Sequence, residues 1–92
     1  MIIFSAQLRA ARGFLKISQA ELALASGLSL PTVKHLESDD EAINRANLMT
    51  VRKIKEVLEG RGIKFTFSKD SDRNQISEIG VKLLLTPTKS GD

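Results

Sequence analysis

The chain has 92 residues, 41% of them hydrophobic, enough for one small core but not for a deep substrate cavity beside it. It has no cysteine and only one histidine, His35, which excludes a disulfide framework, a thiolate metal site and an imidazole cluster. No stretch approaches about 18 consecutive apolar residues, and the start carries neither a basic flank nor a small-residue cleavage pattern, so a soluble cytoplasmic protein in a reducing compartment is expected. The net charge of +3 and pI near 9.5 favour a polyanionic partner, yet the charge is unevenly spread. Residues 1–17 hold Arg9, Arg12 and Lys16 and no acid, whereas 18–41 hold Lys34 against Glu21, Glu37, Asp39, Asp40 and Glu41. Residues 42–64 are basic again, and 65–92 are balanced. Phosphate contacts are therefore expected mostly from the flanks of an acidic centre.

From Ser5, the apolar positions Leu8, Ala11 and Leu15 fall at helical spacing until a break around Lys16 and Ile17, which predicts a first helix. Ser18 with Glu21 three residues on is a capping box, and it predicts a second helix that Gly27 ends by taking a left-handed conformation. Ser29 is the next N-cap and Pro31 sits in the first turn, where its missing amide hydrogen costs little, so a third helix runs to about Ser38. The polar stretch 39–46 reads as a loop. Leu48, Val51, Ile54 and Leu58 then mark a fourth helix, capped by Asn47 or Asn44 and stopped by Gly60 and Gly62.

Past Gly62 the period falls to two: Ile63, Phe65 and Phe67 alternate with Lys64, Thr66 and Ser68, as in a half-buried strand. Residues 69–80 are polar and turn-rich, and Val81, Leu83 and Leu85 alternate again, predicting an antiparallel pair joined by a long, mobile connection. The expected organisation is a mainly α domain over 1–62, a β-hairpin over 63–86 and a flexible tail over 87–92. Phe65, Phe67, Val81, Leu83 and Leu85 either cover the domain's own core or pair two subunits, because an isolated two-stranded ribbon is rarely stable alone; the dimer is preferred.

The window 19–38 carries the most information. It places Ala23 fifth and Gly27 ninth, with Leu22, Leu28, Val33 and Leu36 at the fourth, tenth, fifteenth and eighteenth positions. Two helices that cross steeply over a short turn need a small side chain, a permissive backbone and one apolar face each at such positions. In order and spacing these residues resemble the Xre / lambda-repressor (Cro/CI-type) family of helix-turn-helix transcriptional regulators, over about residues 5–59. The GIKF and GVKLLL segments resemble small bacterial members that end in a β-hairpin.

The resemblance implies a four-helix lambda-repressor-like DNA-binding domain in which Gln19 touches a DNA phosphate and Arg12 pairs with Glu37. It also implies that the third helix enters the major groove, with Leu30, Pro31, Thr32, Lys34 and His35 at the base edges. Lys34 suits the O6 and N7 acceptors of guanine, His35 a purine N7, and Thr32 either a hydroxyl contact or a thymine methyl. Leu30 and Pro31 offer only apolar contact, which favours thymine methyls or DNA shape. Arg9, Lys16 and Ser29 are further phosphate candidates. Repulsion by Asp39, Asp40 and Glu41 shifts the backbone contacts toward Arg45 and Arg52.

The function expected is a homodimeric, sequence-specific repressor on two half-sites about 34 Å apart, needing no cofactor and no metal. An antitoxin that represses its own operon, and a protein-interaction module using the fold as scaffold, are the alternatives. An enzyme is not expected. Ser29 and His35 point to different faces of one helix, and the acids at 37–41 lack the glycine and spaced oxygen ligands of a calcium loop.

Overall fold

The computed structural model describes residues 3–85. They form five helices and a hairpin: α1 (Ser5–Leu15), α2 (Gln19–Ser26), α3 (Leu30–Ser38), α4 (Asp40–Arg45), α5 (Leu48–Gly60), β1 (Ile63–Asp70) and β2 (Gln75–Leu83). The tail 87–92 and residue 86 lie outside the described residues.

The helix ends follow their local signals. The Ser18 hydroxyl accepts the Glu21 amide at 3.0 Å, and the Glu21 carboxylate accepts the Ser18 amide at 2.9 Å. The Ser18 amide holds the Glu21 carboxyl below the usual carboxylate range, and the Ser18 side chain adds to the effect. Gly27 ends α2 at φ 68°, and its turn lets the Leu28 amide reach the Ala23 carbonyl at 2.9 Å. Asn47 caps α5 by accepting the Met49 amide at 2.8 Å.

The segment 39–46 departs from the expected loop. Asp39 accepts the Ala42 amide at 2.9 Å and so starts a six-residue helix that buries Ala42 and Ile43. So short a helix buries one pair of side chains and shows no period. The described residues thus hold five helices, where four were expected.

The hairpin also differs from expectation. β2 begins at Gln75, and residues 71–74 are a tight turn in which Asn74 takes φ 53° and its amide reaches the Asp70 carbonyl at 2.8 Å. The pairing runs from Ile63 opposite Leu83, through Phe65 opposite Val81 and Phe67 opposite Ile79, to Asp70 opposite Gln75, with an irregularity after Ser68. Residues 75–79 are all exposed. With neither face covered there, no alternation of apolar and polar residues was required.

One core joins the parts. Leu8 and Ala11 of α1, Leu22 and Ala23 of α2, Val33 and Leu36 of α3, Val51, Ile54 and Leu58 of α5, and Ile63 and Phe65 of β1 are buried together. Val81 and Leu83 pack against this cluster from the hairpin. Each fully buried aliphatic side chain contributes about 1.5–3 kcal/mol. Polar bonds fix the hairpin on α1: the buried Gln7 amide nitrogen donates to the Thr66 and Gly80 carbonyls at 3.2 and 2.9 Å, while its Oε1 accepts the Phe4 amide at 2.8 Å. Among the described residues no helix is long and apolar enough to cross a membrane.

Candidate nucleic-acid interface

The site is built on α2, the turn 27–29 and α3. Buried Ala23 lets the two helices approach closely, and half-buried Leu28 in the turn packs on the core. Ser29 caps α3 by accepting the Thr32 amide at 3.2 Å, and its hydroxyl lies 2.8 Å from the Thr32 hydroxyl. That exchange occupies both hydroxyls at the start of the helix. It makes Ser29 a cap first.

Of the expected base readers, Pro31, Lys34 and His35 are exposed, and Leu30 and Thr32 are half-buried. Val33, Leu36 and Glu37 are buried on the opposite side. The helical period explains the split, since 33, 36 and 37 share one face and 31, 34 and 35 the other. Among the described residues, no acid lies within ion-pair distance of Lys34.

Glu37 ties the unit to α1 and α2. Its carboxylate, on a side chain 3% exposed, accepts Arg12 Nε at 2.8 Å, Arg12 Nη2 at 3.0 Å and Gln19 Nε2 at 3.1 Å. The bond to Glu37 raises the Arg12 guanidinium above its ordinary range, against the effect of burial. Arg9 Nη1 donates to the Glu37 carbonyl at 2.6 Å, satisfying a carbonyl in the last turn of α3. Arg9, Arg12 and Gln19 therefore serve the joint between helices, with Gln19 anchored by the same carboxylate as Arg12. Lys16 is exposed at the left-handed cap of α1.

A groove of about 430 Å³ continues from α3 to the start of α5, lined by Pro31, Thr32, His35, Leu36, Ala42, Arg45, Ala46, Asn47 and Thr50. Its polar lining comes from hydroxyl, amide, imidazole and guanidinium groups, and no acid lines it. Arg45 and Arg52 do not converge here. Arg52 lies two residues beyond Thr50, about 200° around α5, and lines a separate recess with Lys55, Glu56 and Glu59. The sequence singled out Asn47 only as a cap and gave no signal for Thr50, because the groove wall is α4, which was not foreseen.

The acidic centre changes meaning once the partners are seen. Asp39 accepts the Ala42 amide in the first turn of α4, and Asp40 Oδ1 accepts the Ser5 amide at the start of α1 at 2.8 Å. Glu21 caps α2, Glu37 binds Arg12, and Glu41 pairs with Arg45 at 3.3 Å. All five acids of 18–41 are thus engaged within the chain, four of them at helix N-termini where negative charge is favoured. The expected repulsion of phosphate by 39–41 is reduced accordingly. The exposed pair of Glu41 and Arg45, with side chains 72% and 79% accessible, is the weakest of these bonds.

No cluster of three potential metal-binding side chains occurs among the described residues. No protein-family model and no curated protein matches the chain.

Proposed function

We propose that the protein is a sequence-specific DNA-binding transcriptional regulator, a lambda-repressor-like helix-turn-helix domain that acts as a homodimer and represses by occluding a promoter. The observation that carries this reading is the exposed face of α3. It offers Pro31, Lys34 and His35 to solvent beside an acid-free groove, while every neighbouring acid is bound within the chain. A helix held by its buried face and free along its N-terminal outer face suits the major groove, about 12 Å wide.

In this mechanism Lys34 donates to guanine O6 and N7, and His35 donates to a purine N7. Leu30, Pro31 and the Thr32 methyl meet thymine methyls. Asn47, Thr50 and Arg45 hold the adjacent phosphates, so the groove between α3 and α5 sets the register while α3 reads the bases. Arg12, Glu37, Gln19 and Arg9 keep α3 at a fixed angle to the rest of the domain. The step is binding alone, and it requires no cofactor.

Selection of bound duplexes from a random pool tests the reading. The expected result is a two-fold symmetric site whose affinity falls linearly with log salt. Lys34→Ala should then cost about tenfold to a hundredfold at one base position and little elsewhere. Equal binding of every sequence by the wild type, or no binding at low salt, refutes the proposal.

A further inference from the structure

β2 has one bonded neighbour, β1, and its other edge pairs with no strand among the described residues. An edge of this kind is a template for another strand unless something blunts it. α1 packs on β2, but beside Ile79 and Gly80 it presents only Gln7 and the small Ala6 and Ala10, which leave a recess there. The Thr66 and Gly80 carbonyls both accept from the single Gln7 nitrogen, so they point toward each other across the ladder. By alternation, the backbone groups of Ile79 and Val81 point outward from the free edge.

The charges on the outer face of the hairpin are unbalanced. Lys64 lies directly opposite Lys82, an arrangement that destabilises a two-stranded ladder. Neither lysine has an acid within ion-pair distance among the described residues, and Glu78 has no base within that distance. Glu78 and Lys82 stand symmetrically on either side of Gly80.

We infer that the edge of β2 is the homodimer interface: two copies pair β2 against β2, antiparallel, with the two-fold axis at Gly80. This inference rests on the homodimer reading above and names its surface. In that register Glu78 of each copy faces Lys82 of the other, twice, so each lysine crowded by Lys64 gains an anion. Ile79 faces Val81 of the other copy and exchanges backbone hydrogen bonds with it. Moving the axis to Ile79 sets Lys82 opposite Ile76, and moving it to Val81 sets Lys82 opposite Gly80; neither matches any charge. The pairing is isologous, so it closes as a dimer and does not propagate. It makes a four-stranded sheet with both helical domains on one side, and the small Ala6 and Ala10 leave room for α1 and its symmetry mate to meet.

Sedimentation equilibrium of the full chain tests the inference, using wild type, Glu78→Lys, Lys82→Glu and the double variant. All altered side chains are exposed in the monomer, so folding is preserved, and circular dichroism checks this. Each single variant should weaken dimerisation about tenfold, because two cross-strand attractions become repulsions. The double variant should restore it. Lys82→Glu should also raise, or leave unchanged, the melting temperature of the dilute monomer, since it relieves the clash with Lys64. A wild type that stays monomeric at millimolar concentration overturns the interface. A dimer insensitive to both single variants overturns it too, while leaving the DNA reading to the selection experiment, which single half-sites decide independently.

Discussion

Replacing Glu37 by alanine removes the acceptor of three hydrogen bonds at once. Two come from Arg12 and one from Gln19, onto a side chain 3% exposed. Removing one partner of a fully buried pair costs about 3–5 kcal/mol, most of it the penalty of the charge left behind. The Arg12 side chain is 24% exposed and keeps its bond to the Ile17 carbonyl at 3.1 Å, so the lower end applies, about 3 kcal/mol. A chain of this length has roughly 5–14 kcal/mol in total, and the melting temperature should fall by about 15 °C. Glu37→Gln keeps one acceptor and should lose about half as much. The Arg12 guanidinium, held above its ordinary range by Glu37, stays charged wherever the fold is measured. Urea denaturation at constant slope measures the loss. A Glu37→Ala variant within 0.5 kcal/mol of wild type, the range of an exposed pair, refutes the clamp that holds α3 to α1 and α2.

Gly27→Ala should cost about 1–2 kcal/mol from the left-handed backbone alone, since an added Cβ there meets nothing within 4 Å. Gly62→Ala should cost more in the same denaturation assay, because φ 99° is joined by a Leu84 carbonyl 3.1 Å from the new atom. Gln7→Leu strands the Phe4 amide and unties α1 from the hairpin, for about 1–3 kcal/mol; amide exchange should quicken in β1 and β2 before α5. Glu21→Gln tests the cap by pH: a carboxyl held low in the folded state stabilises above its unfolded value near 4.3 and loses that effect as pH falls. Wild type should therefore melt above the variant at pH 7, and the gap should close below about pH 4.

What could be read in advance was what is encoded locally. The Ser18 box, Gly27 and Ser29 with Pro31 lie within three or four residues of what they control, so they placed α2, the turn and α3. α4 escaped because its cap, Asp39, sits in an acidic run that reads as charge rather than as structure. The first half of β2 escaped because it is exposed on both faces. Gln7 and Asp40 act across the chain, on partners 59, 73 and 35 residues away, and no local pattern announces such bonds. The groove beside α3 depends on α4 and was hidden with it.

The internal bonding of the acids sets a limit on how the proposed regulator grips DNA. Near α3 and the groove the available cations are Lys34 and Arg45, and Arg45 must first leave Glu41. Lys34 is assigned to a base, so Arg45 is the one phosphate-neutralising cation per subunit; two in a dimer make log affinity fall with log salt at a slope of about −2. Glu41→Gln tests the assignment of Arg45. It removes a competing anion and frees the guanidinium from an exposed pair that is worth at most about 1 kcal/mol. Affinity at low salt should rise about threefold to tenfold, and the slope should steepen because Arg45 now contacts phosphate in every complex. The same substitution leaves Asp39 and Asp40, the acids that cap α4 and α1, in place, so thermal stability should hardly change. Unchanged affinity and slope in Glu41→Gln would remove Arg45 from the interface, and with it the role of the groove in holding phosphate.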